Sequence, residues 1–177
     1  MMSSKMTWLF IIGLFWMISI MVDKFAFSPS KSQQYFGLGL YVLIEAIIFL
    51  PMIYITVGYT EGYTVLGQAV VLTLSMFTGI SAIAFFSKKD FSFLRSIIMI
   101  GGFISLGLIV AGALMGFNLG LWFSVAMVAL ASISILYQTS KLKDTYHTGQ
   151  YVGASVQIFA SIMLLFWYIL RILNSRK

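Results

Sequence analysis

Glu45 is the one acidic residue that lies deep inside a long apolar run of this chain. A carboxylate there can bind a cation, carry a proton or accept hydrogen bonds. In hydrocarbon it costs about 3 kcal/mol or more unless paired, hydrated or protonated, so it stands as a functional residue by default. The other acids do not join it. Asp23, Asp90 and Asp144 fall at segment ends on one side and Glu61 on the opposite side, so no two carboxylates meet for acid–base work. His147, the only histidine, has Asp144 near it in sequence and no further ligand, which supports neither a metal site nor a triad. With no cysteine there is no thiolate ligand, nucleophile or disulfide. The chain is expected not to be an enzyme and to hold no cofactor.

Polar residues thread the apolar runs. Gln68, Thr73, Ser75, Thr78 and Ser81 belong to one run and Gln138 closes another, while Gln157 and Ser161, one helical turn apart, share a face of the last. Such residues either line a hydrated path or act as interhelical hydrogen-bond glue worth about 1 kcal/mol each. Both readings stay open. Pro51, about one turn beyond Glu45, removes a backbone donor; it either kinks its helix beside a cavity or is a tolerated membrane proline.

The elements that must position these residues follow from composition. Of the 177 residues, 60% are hydrophobic and 9% charged, against about a quarter charged in a soluble domain. Uninterrupted apolar runs predict helices over 7–22, 35–58, 64–86, 96–117, 120–139 and 151–172. This is an all-α integral membrane protein, a compact bundle of six transmembrane helices forming one domain over 1–177. Apolar runs of this length exclude a barrel's alternating pattern. Trp16 to Val22 lead into Asp23 without a cleavage site, so the first run reads as a retained helix, and neither terminus carries a lipidation motif.

The net charge of +6 comes from Lys and Arg in ones and twos at segment ends, which suits interface anchoring and not nucleic acid. Lys24, Lys31, Lys88, Lys89, Arg95, Lys141 and Lys143 share one side; Lys5, Arg171, Arg176 and Lys177 share the other. The positive-inside rule makes the first side cytoplasmic and places both termini and the loop from Thr60 to Tyr63 outside. The expected location is a bacterial cytoplasmic membrane. Gly112, Gly116 and Gly120, four residues apart, and the small residues Ser124, Ala126, Ala129, Ala131, Ser132 and Ser134 mark close helix packing, within the chain or between copies.

From Thr60 onward the chain carries, in order, Glu61-Gly62-Tyr63-Thr64, Thr78-Gly79 leading to Ser87-Lys88-Lys89-Asp90, Tyr137-Gln138-Thr139-Ser140, and Phe166-Trp167-Tyr168-Ile169-Leu170-Arg171. This order of motifs resembles the Bax-inhibitor-motif transmembrane family. The resemblance implies a seven-helix fold with the N-terminus inside and the C-terminus outside. Six helices with both ends outside is that fold minus its first helix. It also implies a pH-sensitive calcium leak, latched by two aspartates on the last two helices. In this chain Gln138 and Ser161 occupy those places, and neither titrates near neutral pH. The latch is then at most a neutral hydrogen bond. Hard calcium ions want several oxygen ligands, so Glu45, Glu61 and the amide oxygens of Gln138 and Gln157 offer only a weak path.

Two functions are therefore expected of the resemblance. The first is a weak leak for calcium or another cation, with Glu45, Gln138, Gln157 and Ser161 as candidate pore or latch residues. The alternative is a non-conducting adaptor in the bilayer that binds another membrane protein, such as a membrane-anchored protease.

Overall fold

A computed structural model describes residues 24, 25, 27–58, 62–145 and 148–175. Its regular elements are α1 (Lys31–Val57), α2 (Gly62–Phe86), α3 (Leu94–Met115), α4 (Gly120–Asp144), a 3₁₀ turn (Thr148–Gln150) and α5 (Tyr151–Asn174). All five α-helices are long and apolar enough to cross a membrane. The sequence predicts six such helices; five are found among the described residues, and the expected first helix, 7–22, lies outside them. In hydrocarbon a backbone without water must satisfy its own N–H and C=O groups, which is why apolar runs of this length become unbroken helices. Even Pro51 sits inside α1 without ending it.

The helices alternate in direction around α5, which packs along α4, α2 and α1. Val65 and Ala69 of α2, Ala131 and Ile135 of α4, and Leu165, Ile169 and Leu170 of α5 form the main core. Ala69 and Ala131 are fully buried, small side chains that let the backbones approach where lipid supplies no hydrophobic drive for association. α3 is peripheral and packs along α4.

Two expectations about helix ends are corrected. The four-residue spacing of Gly112, Gly116 and Gly120 does not make one packing face. Gly116 caps α3 at φ 78°, its N–H returning to the Gly112 carbonyl at 2.8 Å, and Gly120 opens α4 at φ 68°. Both stand in the left-handed region that glycine enters without steric cost, so they turn the chain. Gly112 alone is buried within a helix, and a Cβ there would lie 3.2 Å from the Phe117 carbonyl of that turn.

The second correction concerns α4, predicted to stop at 139 but continuing through Lys141, Lys143 and Asp144. That added turn carries Lys143 Nζ to the end of α2, where it donates to the carbonyls of Ser87 at 2.9 Å and Ala84 at 3.4 Å. A cation there satisfies orphan carbonyls and complements the negative end of the α2 dipole. Lys143→Ala should lower the stability of the detergent-solubilised protein by about 0.5–1 kcal/mol, and Lys143→Arg should restore most of it. Thermal unfolding reads both.

The same end of the bundle gathers the described basic residues Lys24, Lys31, Lys88, Lys89, Arg95, Lys141 and Lys143. It is tied laterally by Gln34, whose Nε2 donates to the carbonyls of Ser28 at 2.6 Å and Gly149 at 3.1 Å, and by the Tyr35 and Tyr151 hydroxyls, 2.6 Å apart. In the α2–α3 turn, Asp90 accepts from the hydroxyl and N–H of Ser92 at 2.5 and 2.8 Å, which holds its carboxyl below the usual range. That contribution is complete above pH 3.8 and is lost as the pH falls through the lower folded value.

Candidate functional site

Residues four apart on a helix stack on one face, and on α1 this places Tyr41, Glu45 and Phe49 in one buried stripe. Glu45 is only 6% exposed. Its carboxylate accepts a hydrogen bond from the Tyr41 hydroxyl at 2.7 Å, and among the described residues no basic side chain forms an ion pair with it. Arg171, the partner that would make it a structural salt bridge, is not paired with it.

The stripe faces a cavity of about 700 Å³ bounded by α1, α3, α4 and α5. Gln138 of α4 and Gln157 and Ser161 of α5 line the same cavity as Glu45. The four polar residues singled out by the sequence thus come from three helices to one space. The Ser161 hydroxyl stands 3.2 Å from both the Gln138 amide oxygen and the Gln157 carbonyl, so it donates to one of them at a time. The Gln138–Ser161 contact joins the two positions where the resemblance expects aspartates, and it is a neutral hydrogen bond.

The cavity has a gradient along its depth. Toward the basic end it is lined by Arg95 at the start of α3 and by Tyr137 and Lys141 of α4, with Lys141 Nζ 5.9 Å from the centre of the Tyr137 ring. Toward the other end it is lined by Ile48, Phe49, Met163, Leu164 and Trp167. There Phe49 stacks on Phe166 with ring centres 5.7 Å apart and meets the edge of Trp167 at 5.1 Å, closing the space about one turn beyond Glu45. Pro51 lies just past this closure.

Sequence reasoning missed Tyr41, Arg95 and Lys141. Tyr41 was legible, since a hydroxyl four residues from a buried acid on one helix is within reach of it. Arg95 and Lys141 read only as interface anchors because nothing local says that α3 and α4 turn them toward a common space. Glu61 and His147 lie outside the described residues. Gln68 takes no part: it borders a separate shallow groove on the outer face of α2, with Gly67, Val71 and Leu72.

Five apolar helices of spanning length around a buried, hydrogen-bonded carboxylate define a helical integral membrane protein with an internal polar cavity, in contact with the bilayer. The whole chain, residues 1–177, matches the family described as inhibitor of apoptosis-promoting Bax1, and it belongs to that Bax-inhibitor family, as the motif order from Thr60 indicates. A BI1-like protein of Arabidopsis thaliana is 37% identical over 146 residues, covering 75% of this chain and 55% of the relative. A membrane protein of Vibrio cholerae is 33% identical over 131 residues, covering 70% and 56%, and a protein of Pseudomonas aeruginosa is 33% identical over 125 residues, covering 69% and 55%. The chain spans about half the length of the curated relatives it matches. No solved structure matches it significantly.

Proposed function

We propose that this chain forms a low-throughput, non-enzymatic cation leak in which Glu45 is the one carboxylate an ion meets inside the membrane. The carrying observation is that Glu45, Gln138, Gln157 and Ser161 line one cavity, with Glu45 held by a tyrosine hydroxyl and, among the described residues, by no ion pair. A neutral partner leaves the carboxylate's charge available to a passing ion. The other oxygens on offer are amides and hydroxyls, so calcium would be held weakly and released readily. The aromatic closure at Phe49 and the two cations at the rim both keep throughput low. Because the Gln138–Ser161 contact carries no titratable group, it cannot act as a proton latch near neutral pH.

The experiment is calcium or monovalent-cation flux from liposomes carrying the purified protein. Wild type should leak above protein-free vesicles, and Glu45→Gln, which keeps the Tyr41 hydrogen bond to an oxygen, should reduce the leak about tenfold, the loss of one charge interaction of about 1.4 kcal/mol. A leak that is absent, or indifferent to Glu45→Gln, contradicts the assignment. A second reading, a non-conducting adaptor for another membrane protein, draws support from α3, whose outer side presents Ile100, Phe103 and Ile104, all more than half exposed. It predicts a stable membrane partner and no flux, with the partner lost when Phe103 is changed to Ser.

A further inference from the structure

In the cation path Arg95 and Lys141 act only as a brake, and the apolar depth of the cavity has no part. A path for cations does not require two cations at its rim, nor a floor of isoleucine, methionine, leucine and tryptophan. Together they fit a molecule that is anionic at one end and apolar at the other. Arg95 is the second residue of α3, and Lys141 lies in the last turn of α4, so both sit at the membrane edge, where long basic side chains reach headgroup depth. Trp167 lies ten residues farther along α5 than Gln157, about 15 Å deeper in the bilayer. Among the described residues α1 and α3 both line the cavity and are not seen to pack extensively along each other.

We propose that this cavity binds an anionic phospholipid from the leaflet at the basic end, with its phosphate between Arg95 and Lys141 and the upper part of an acyl chain against Ile98, Met163, Leu164 and Trp167. Guanidinium and ammonium donors recognise the phosphate, and basic pockets between membrane helices select anionic headgroups over zwitterionic ones. A soluble phosphate would satisfy the rim but leave the apolar depth wet. The binding stands on the cavity's geometry whether or not ions cross; only its effect on flux rests on the leak reading.

The test uses the full chain with Trp8, Trp16 and Trp122 changed to Phe, leaving Trp167 as the fluorophore, in phosphatidylcholine vesicles doped with brominated phosphatidylglycerol or brominated phosphatidylcholine at equal mole fraction. Phosphatidylglycerol should associate about tenfold or more tightly by quenching. The preference should vanish in R95Q/K141Q and persist in R95K/K141R and in K88Q/K89Q, which alters basic residues of the same membrane face outside the cavity. A chain retaining only Trp122, which is 85% exposed at the opposite end of the bundle, should show none. Equal quenching by both lipids at Trp167 overturns the proposal, as does a preference that survives R95Q/K141Q or disappears with K88Q/K89Q or R95K/K141R. Abolition by excess glycerol phosphate assigns the rim to a soluble phosphate and overturns the lipid.

Discussion

Neutralising Arg95 and Lys141 together is expected to raise cation flux about tenfold, the opposite sign to Glu45→Gln. Two unit charges within about 10 Å of a monovalent ion in wetted surroundings cost that ion on the order of 1–2 kcal/mol, and a divalent ion about twice as much. A tenfold gain corresponds to about 1.4 kcal/mol. Since the two cations and Glu45 line one cavity, their effects should be separable by sign: R95Q/K141Q raises flux, and adding Glu45→Gln to it removes the gain. The gain should be larger for calcium than for potassium, and it should shrink in high salt. It should also be largest in phosphatidylcholine vesicles, because an anionic lipid seated at the rim already offsets the same two charges. Flux that falls, or that does not respond to the double substitution in any lipid, would place the barrier elsewhere, with the Phe49–Phe166–Trp167 closure as the next candidate.

What the sequence could and could not show divides along a physical line. The helices were legible because the bilayer imposes one solution on a long apolar run. Their ends were not, because an end is fixed by partners far away in sequence. α4 outlasts its apolar run since Lys143 finds the carbonyls of α2 more than fifty residues away. Gly112, Gly116 and Gly120 illustrate a second kind of ambiguity. Glycine serves both close packing and positive φ, and a spacing of four suits either; the signal for a turn was that these glycines straddle the break between two apolar runs.

For the candidate site, the residues costly in hydrocarbon are the ones a sequence can single out. Glu45, Gln138, Gln157 and Ser161 are polar groups that hydrocarbon tolerates only with partners, and the fold brings all four to one cavity. The cations beside them carried no such signal, since an arginine or lysine at a helix end is ordinary in a membrane protein. Their convergence is a property of helix rotation, which no local pattern records.

One substitution at two glycines of α2 should change stability in opposite directions. Gly62→Ala should destabilise the protein by about 1–3 kcal/mol, the usual range for overpacking. A Cβ at Gly62 would fall 2.0 Å from the Thr56 carbonyl oxygen, 2.7 Å from the Val57 Cα and 2.8 Å from the Thr56 carbonyl carbon. All three are backbone atoms, so no side chain can swing aside and the end of α1 itself must move. That end is held. The Thr56 hydroxyl donates to the Met52 carbonyl at 2.8 Å and accepts from Asn174 Nδ2 at 2.8 Å, joining the last turns of α1 and α5. Thr56 is fully buried, so shifting it strands polar groups with no water to replace the lost bond. Among the described residues positive φ occurs only at Gly116 and Gly120, so the requirement for glycine at position 62 is one of space and not of backbone conformation. Five residues along the same helix, Gly67 has nothing within 4 Å of its would-be Cβ. There the same change should stabilise by up to about 1 kcal/mol through the lower backbone entropy of alanine in the unfolded chain. Thermal unfolding of the two variants in one detergent should therefore move in opposite directions. A Gly62→Ala protein as stable as wild type would mean that α1 and α2 do not meet at Thr56 and Val57.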